Sequence, residues 1–308
     1  MAFVTRFAPS PTGSLHLGHA YSAMLAHDTA RAEGGTFLLR IEDIDQTRCR
    51  PEWERRLIDD LTWLGLSWDA EPMRQSNRMA ACQSALDALW LRGLLFPCIC
   101  TRRDIGAALS APQEGATPPV GPDGLIYPGT CRNRISWERR FPEAHPRPGN
   151  AVLRLDMRLA TMANGCFEHR IDSPDGGWHH YVSYKETGHG PNGQKGLIEF
   201  TPEALIETVG DVVIARKDMG TSYHLAVVLD DAAQAVTHVI RGADLTEATA
   251  LHVFLQRLLG LPTPTYHHHR LIRDAHGKRL AKRDDARSLA SYRAAGMTPQ
   301  DIRGLVGL

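Results

Sequence analysis

The chain has 308 residues, 43% hydrophobic and 23% charged, which at roughly 150 residues per domain is one large or two modest domains able to bury a core without staples. No apolar run approaches the ~18 residues of a membrane span, and the first residues lack a signal-peptide pattern. Lys and Arg (35) balance Asp and Glu (35), which argues against bulk electrostatic binding of nucleic acid though not against a local basic face, and six cysteines are too sparse for a disulfide scaffold, so a reducing cytoplasm is expected.

Phe3–Phe7 alternates like a short strand and runs into Ala8-Pro9-Ser10-Pro11-Thr12-Gly13-Ser14, a loop by composition. Leu15–Glu33, stopped by Gly34-Gly35, predicts a helix, and the mostly apolar Thr36–Asp43 a central strand. Strand, loop, helix and strand make a βαβ unit, and with it a parallel sheet. Helices are expected at Pro51–Leu64 and Asn77–Arg92, the first with proline in its opening turn. Residues 107–124, rich in Ala, Pro and Gly, read as a flexible insertion. Strands follow at Ala151–Asp156, Val212–Arg216, Tyr223–Leu229 and Val236–Ile240. A helix is expected from an N-cap at Thr246 to Leu259, ended by Gly260, then two short ones at Asp285–Ala294 and Thr298–Val306. No internal repeat is visible.

His16-Leu17-Gly18-His19 sits where the first helix begins. Spacing i, i+3 puts both imidazoles on one face, at the end where free N–H groups and the helix dipole favour anions. Gly18 removes a side chain, so a flat group such as an adenine ring can lie against the backbone. Two imidazole donors there can stabilise charge on a phosphate that becomes five-coordinate. A bare HxxH is more often two surface histidines; the strand–loop–helix setting favours the functional reading.

Three thiols, Cys98, Cys100 and Cys131, can bind Zn²⁺ with a fourth ligand. Buried free cysteines in an apolar stretch explain them equally well, and the residues alone leave both open. Cys49, Cys82 and Cys166 have no such partners and read as structural. Gly188-His189-Gly190-Pro191-Asn192-Gly193 formally fits GxGxxG, but no clear strand leads in and Pro191 sits inside the turn, so a flexible insertion is expected. His267-His268-His269 alternate faces on a strand, which is expected at the solvent edge of the sheet.

Arg6-Phe7-Ala8-Pro9-Ser10-Pro11-Thr12-Gly13 with His16-Leu17-Gly18-His19 resembles the N-terminal signature of class I aminoacyl-tRNA synthetases, in the glutamyl and glutaminyl branch. Arg40-Ile41-Glu42-Asp43, Asp45 and Thr47-Arg48 match its next block, as do Tyr223–Asp231 and Ile240–Asp244 further on. The resemblance covers nearly the whole chain, weakest over 105–125 and 135–200. It implies an α/β, Rossmann-type parallel-sheet catalytic core with an inserted zinc-containing subdomain. The core halves would be 1–97 and 201–260, the insertion 98–200, and 261–308 a lysine loop with short helices.

His16, Gly18 and His19 would then bind ATP with its Mg²⁺. Arg279-Leu280-Ala281-Lys282-Arg283 resembles the family's lysine loop, K-[ML]-S-K-[SR]. Lys282 would hold the phosphates as pyrophosphate leaves, which makes His16, His19 and Lys282 the catalytic residues. Arg279 keeps the charge of the first lysine with another geometry, and Ala281 loses the serine hydroxyl.

A substrate with two carboxylates and an ammonium needs fixed cations and one carboxylate, and arginine grips carboxylates through paired bonds. The resemblance gives the glutamate site to Arg6, Ala8, Ser10, Glu42, Tyr223 and Arg241. Glu42 would take the α-ammonium, and Arg6 or Arg241 the side-chain carboxylate. Some members carry zinc on CxC and Y-x₃-C, here Cys98, Cys100, Tyr127 and Cys131.

The chain ends shortly after Lys282, where glutamyl- and glutaminyl-tRNA synthetases continue into an anticodon-binding body. A core of this extent resembles the glutamyl-queuosine tRNA(Asp) synthetase family, cytoplasmic ligases that activate glutamate without tRNA. They then esterify it onto queuosine at the wobble position of tRNA(Asp). The expected partners are therefore ATP, L-glutamate and queuosine-bearing tRNA(Asp), with no membrane and a monomeric enzyme. A minimal glutamyl-tRNA synthetase charging an acceptor end, or a non-catalytic paralogue binding tRNA or nucleotide, are the competing expectations.

Overall fold

Apolar alternation carries the chain into β1 (Val4–Phe7) and, after a loop, into α1 (Leu17–Ala32). Ala20, Ala23, Ala26 and Ala30 on α1 are fully enclosed beside Met24, and such small side chains let a helix lie close on a sheet. The helix ends where Gly34 takes a φ of 60°, which costs glycine nothing sterically. β2 (Thr36–Ile41) returns parallel to β1 with Arg6 opposite Leu38, completing the expected βαβ unit.

α2 (Pro51–Trp63) opens on its proline with Glu52 and Glu54 in the first turn, where the helix dipole favours carboxylates. β3 (Met73–Arg74), α3 (Met79–Leu91), β4 (Leu95–Cys98) and α4 (Arg102–Leu109) follow. The hairpin of β5 (Val120–Gly121) and β6 (Gly124–Leu125) precedes β7 (Val152–Leu155) and α5 (Met157–Thr161). Next come β8 (Glu168–Ile171), β9 (Trp178–Glu186), β10 (Gly196–Phe200), α6 (Pro202–Thr208) and β11 (Val213–Ala215). α7 (Tyr223–Ala233), β12 (His238–Gly242), α8 (Thr246–Leu258), β13 (Thr265–His269), α9 (Leu289–Ala294) and α10 (Pro299–Val306) complete the chain. This computed structural model describes residues 2–109, 119–132, 145–163, 165–171, 178–273 and 287–308. Among them no helix is long and apolar enough to cross a membrane.

β1, β2 and β3 form a parallel sheet; a second, mixed sheet has the order β10-β9-β13-β12, parallel except for β10 against β9, with Arg241 opposite His268 on the parallel pair β12–β13. The two sheets meet at the start of β1 and β12. There Thr237 N–H donates to the Val4 carbonyl and Val4 N–H to Thr237 Oγ1, both at 2.9 Å. Among the described residues no ladder continues from that point along the two strands. A crevice opens between the halves, which is where ligands bind in open parallel sheets. A separate antiparallel sheet, β11-β7-β4, carries the middle segment. One apolar core packs α1, β1 and β2 against Leu289, Ile302 and Val306 of the last two helices, and a larger one packs β7, β9, α7 and α8.

Several expectations need correction. Tyr223–Leu229 is no strand but the first part of α7. Leu225, Ala226, Val227 and Val228 are all buried, and an apolar run enclosed on every side has no period to read. Ser222 Oγ accepts from Leu225 N–H at 3.3 Å and caps the helix. Consequently β12 starts at His238 and reaches Gly242. Thr246 is the first helical residue after a 3₁₀ turn at Ala243–Leu245, not an N-cap. In the stretch 107–124, Leu109 ends α4 and Val120–Leu125 form the hairpin, while 110–118 lie outside the described residues.

β9 leads directly into the GxGxxG-like segment, which is not a loose insertion. His189 N–H donates to the His268 carbonyl at 2.6 Å, and a Cβ at Gly188 would stand 2.3 Å from that oxygen. Nor is β13 an edge strand. It lies between β12 and β9, and His268 and His269 are buried there because each finds polar partners, which lowers the cost of burial.

One buried charge cluster joins β1, β2 and α7. Asp231 accepts from Arg6 Nε (2.8 Å) and Nη2 (3.3 Å) and from Arg40 Nη1 (2.6 Å). Arg40 Nη2 donates to Glu42 Oε1 at 3.2 Å, and the Arg40 side chain is wholly enclosed. Burial alone would raise the Asp231 pKa, but Arg6 and Arg40 outweigh it and hold it at about 2. Asp231→Asn should therefore cost about 3–5 kcal/mol in urea or guanidinium titrations, because it leaves the buried Arg6 without its carboxylate and Arg40 with Glu42 alone. The folded pKa is depressed, so the Asp231 contribution is fully present above pH 3.8 and lost as pH falls through about 2. The stability gap between wild type and variant should close over that window.

Candidate active site

The crevice between the two halves is a cleft of about 430 Å³ at the ends of β1, β2, β12 and β13. Arg6, Ala8, Ser10, His16, Gly18, His19, Glu42, Tyr223 and Arg241 all line it. Residues drawn from the start, middle and end of the sequence thus meet at one place.

The two histidines organise the N-terminus of α1. His16 is the N-cap, and its Nδ1 accepts from Gly18 N–H at 3.1 Å. His19 Nδ1 accepts from His16 N–H at 3.2 Å, and the rings stand 3.9 Å apart. Each imidazole accepts at Nδ1, so each neutral ring carries its proton on Nε2 and can donate there. Gly18 has a reason beyond an approaching ligand: a Cβ would lie 3.0 Å from His16 Cε1 and disturb the cap.

Charge in the cleft is divided unevenly. Arg6 is paired with Asp231, whereas Arg241 has no carboxylate within ion-pair distance among the described residues. Arg241 is nevertheless buried, and donates to His268 Nε2 (3.1 Å), His252 Nδ1 (3.1 Å), Thr249 Oγ1 (2.8 Å) and the Leu245 carbonyl (3.3 Å). Glu42 faces the same space. Burial pushes its pKa up, opposed by Arg40 and Arg6. Tyr223 is likewise raised, first by burial and then by the Glu42 carboxylate.

Arg279, Ala281 and Lys282 lie outside the described residues. The segments on either side of 274–286 reach the cleft: Leu271 and Ile272 line it, and Ser288 forms a backbone bridge with His16. Leu289 N–H donates to the Leu15 carbonyl at 2.9 Å, tying the start of α9 to the start of α1.

The cysteine cluster sits apart, around Phe96 and Tyr127. Sγ atoms of Cys98, Cys100 and Cys131 lie within 4.8 Å of one another, close enough to share one metal ion. Tyr127 Oη is 3.6 Å from Cys98 Sγ and 3.4 Å from Cys100 Sγ, and the Cys100 and Cys131 sulfurs are 3.5 Å apart. Metal–sulfur bonds of about 2.3 Å in a tetrahedron put ligand atoms about 3.8 Å apart, so the donor set fits such an ion. Burial opposes ionisation of Cys131, but hydrogen bonds with Tyr127 and the Ile99 backbone bring its thiol to about 7. Thiolate is the form that binds metal.

Sequence reasoning gave no role to His252 and Glu186, quoted Arg40, His224 and Asp231 only within the matched blocks, and placed His268 at a solvent edge. Charged and imidazole side chains embedded in apolar runs, as in Val227-Val228-Leu229-Asp230-Asp231, were the available signal, since buried ionisable groups need partners.

A family model described as class I tRNA synthetases (E and Q), catalytic domain, matches residues 2–164 and 184–308. A glutamyl-Q tRNA(Asp) synthetase of Rhodobacter capsulatus is 57% identical over 309 residues, covering 99% of this chain and 100% of the relative. That of Symbiobacterium thermophilum is 40% identical over 307 residues, covering 97% and 84%. The solved glutamate tRNA ligase of Elizabethkingia meningosepticum, in complex with its amino acid, is similar with a TM-score of 0.72 and 25% identity. That likeness covers 100% of this chain and 61% of the ligase, so the chain spans about three fifths of that protein's length.

Shared metal ligation by the three thiols has a direct optical readout. Co²⁺ added to metal-free protein should give a thiolate-to-metal charge-transfer band at one ion per chain. Cys131→Ser should weaken the band and lower the affinity, and an unchanged spectrum would remove Cys131 from the ligand set.

Proposed function

Since the chain belongs to the glutamyl-Q tRNA(Asp) synthetase family of class I tRNA synthetases, we propose that it activates L-glutamate with ATP and transfers it to queuosine in tRNA(Asp). The observation that carries this reading is the buried Arg241, without a carboxylate partner among the described residues, across a cleft from Glu42. Arg6, Arg40, Asp231 and Glu42 form a set of two cations and two carboxylates. Arg241 stands outside that set, and Asp244 also lines the cleft. Glutamate brings two carboxylates and one ammonium, so its side-chain carboxylate can meet Arg241 while its ammonium meets Glu42.

Glu42 would then accept from the α-ammonium and Arg241 donate to the side-chain carboxylate. Arg6, already paired with Asp231, would line the pocket beside Ala8 and Ser10 and under Tyr223. ATP would lie against Gly18, its phosphates at the N-terminus of α1. The α-carboxylate attacks the α-phosphorus, the bond to the bridging oxygen breaks, and pyrophosphate departs. The Nε2–H groups of His16 and His19 would donate to the oxygens that gain charge on the way, with Arg279 and Lys282 on the loop meeting the pyrophosphate. Mg²⁺ would enter as the nucleotide's counter-ion. In the second step a hydroxyl of the queuosine cyclopentenediol attacks the glutamyl carbonyl, its proton passes to the departing phosphate, and AMP leaves with the bonding electrons.

The cysteine cluster suits a structural Zn²⁺ held by Cys98, Cys100 and Cys131, with Tyr127 as fourth donor. Its part would be to fold the segment between β4 and the hairpin. None of the chemistry runs through it.

The deciding experiment is transfer of labelled glutamate to total tRNA from cells with queuosine and from cells lacking it. Label should enter only the queuosine-containing pool, in tRNA(Asp). Label in both pools, in tRNA(Glu), would instead make this an enzyme that charges an acceptor end. Glutamate-dependent ATP–pyrophosphate exchange should proceed without tRNA. Lys282→Ala should slow it by about 10²-fold or more, the scale of losing one charged contact to a transition state. Normal exchange in that variant would exclude Lys282 from the step.

A further inference from the structure

The guanidinium assigned to the substrate's side-chain carboxylate is held from two sides by imidazoles that the proposed steps do not use. On one side Arg241 Nη1 lies 3.1 Å from His252 Nδ1, His252 Nε2 lies 2.9 Å from His224 Nδ1, and His224 Nε2 lies 2.9 Å from Asp123 Oδ1. On the other, Arg241 Nε lies 3.1 Å from His268 Nε2, and His268 Nδ1 lies 2.5 Å from Glu186 Oε2.

Arginine has only donors, so the imidazole nitrogen that faces it must accept. His252 therefore accepts at Nδ1, carries its proton on Nε2 and donates to His224. His224 accepts at Nδ1 and donates from Nε2 to the Asp123 carboxylate. His268 accepts at Nε2 and donates from Nδ1 to Glu186, whose other oxygen takes the backbone N–H groups of Gly188 (2.7 Å) and His268 (3.0 Å). Every hydrogen in both chains points away from Arg241, and each chain ends on a carboxylate.

We infer that Asp123, His224 and His252 on one side, with Glu186 and His268 on the other, are positioning residues that orient Arg241 through neutral imidazoles and so leave its charge for the side-chain carboxylate that separates glutamate from glutamine. This rests on the reading of Arg241 given above. A carboxylate in direct contact would orient the guanidinium equally well but would match its charge, as Asp231 does for Arg6. An interposed imidazole keeps the direction of the hydrogen bond and moves the negative charge one or two rings away. Burial and the neighbouring Arg241 hold His252 well below the ordinary histidine pKa, and burial lowers His268 despite Glu186. Both rings are thereby kept as acceptors. Discrimination follows because an amide in place of the carboxylate leaves a buried cation without its counter-charge.

The far end of the longer chain gives a test away from the substrate. Asp123 sits in the turn between β5 and β6, its side chain 52% exposed, and is not part of the cleft wall. In the full-length protein, glutamate-dependent ATP–pyrophosphate exchange would be measured with kcat, glutamate KM and ATP KM resolved, and with glutamine as competing amino acid. His252→Leu should raise the glutamate KM about 10-fold or more, the scale of one buried donor left unpaired. ATP KM should stay within about 2-fold, and the preference for glutamate over glutamine should narrow. His252→Asn, whose Oδ1 can accept where Nδ1 did, should recover most of the loss. Asp123→Ala should raise the glutamate KM several-fold, at about the level of one weakened hydrogen bond.

Unchanged glutamate KM in folded Asp123→Ala would overturn the relay, as would equal loss of both KM values without recovery in His252→Asn. Should His252→Leu not fold, Asp123→Ala still decides. A wild-type protein with no glutamate-dependent exchange would sink the proposed function and this inference with it. Normal wild-type exchange with indifferent variants would sink the relay alone.

Discussion

Asp231 is the residue on which the architecture of the cleft turns. One carboxylate on α7 takes hydrogen bonds from arginines on two different strands, Arg6 of β1 and Arg40 of β2, and Arg40 passes the connection to Glu42. Three elements far apart in sequence are thereby locked at the mouth of the parallel sheet. A buried ion pair adds little net stability when compared with an apolar replacement, but breaking one side of it is costly. Its value here is geometric: it fixes where Glu42 and the Arg6 backbone stand, and hence the shape of the amino-acid pocket.

Against that matched cluster, Arg241 stands as a charge held by neutral acceptors. The same crevice thus contains two ways of burying a guanidinium. Arg6 is spent on the fold, since its counter-charge is permanent. Arg241 has no carboxylate within ion-pair distance among the described residues, which under the proposed reading leaves its charge to the substrate, and its orientation comes from His252, His268 and Thr249. A site arranged this way binds an anion strongly and holds a neutral analogue poorly, because the cost of the desolvated cation is offset only by the right ligand.

The outer parts of the fold serve the same cleft. α9 and α10 return to α1, where Arg303 pairs with Asp28 and Ile302 joins the core. The residues from Ser288 onward are therefore anchored at α1, whose N-terminus lines the cleft. On the opposite side the hairpin of β5 and β6 reaches His224 through Asp123. The segment that carries the cysteine cluster is in this way connected by hydrogen bonds to the floor of the pocket.

Local sequence determined a good deal. The βαβ unit, α1 with its His16, Gly18 and His19, the proline-started α2 and the Thr298-capped α10 all follow from periodicity and end signals within a few residues. The motif blocks located the residues that line the cleft, because a class I signature states which side chains must come together. What the sequence left ambiguous was decided by burial. His224–Val228 are buried without a break, so the apolar run that opens α7 shows neither a two-residue nor a 3.6-residue period, and the Ser222 cap with packing against α3 and α8 selects a helix. The triple histidine reads as an exposed edge until β9 is seen to cover it, because β9 and β10 lie in the stretch where the family resemblance is weakest. The charges divide in the same way: that Arg6 and Arg241 belong to one pocket is legible in the motifs, but which of them has a carboxylate partner depends on Asp231 and His252, and only the folded chain brings those neighbours within reach.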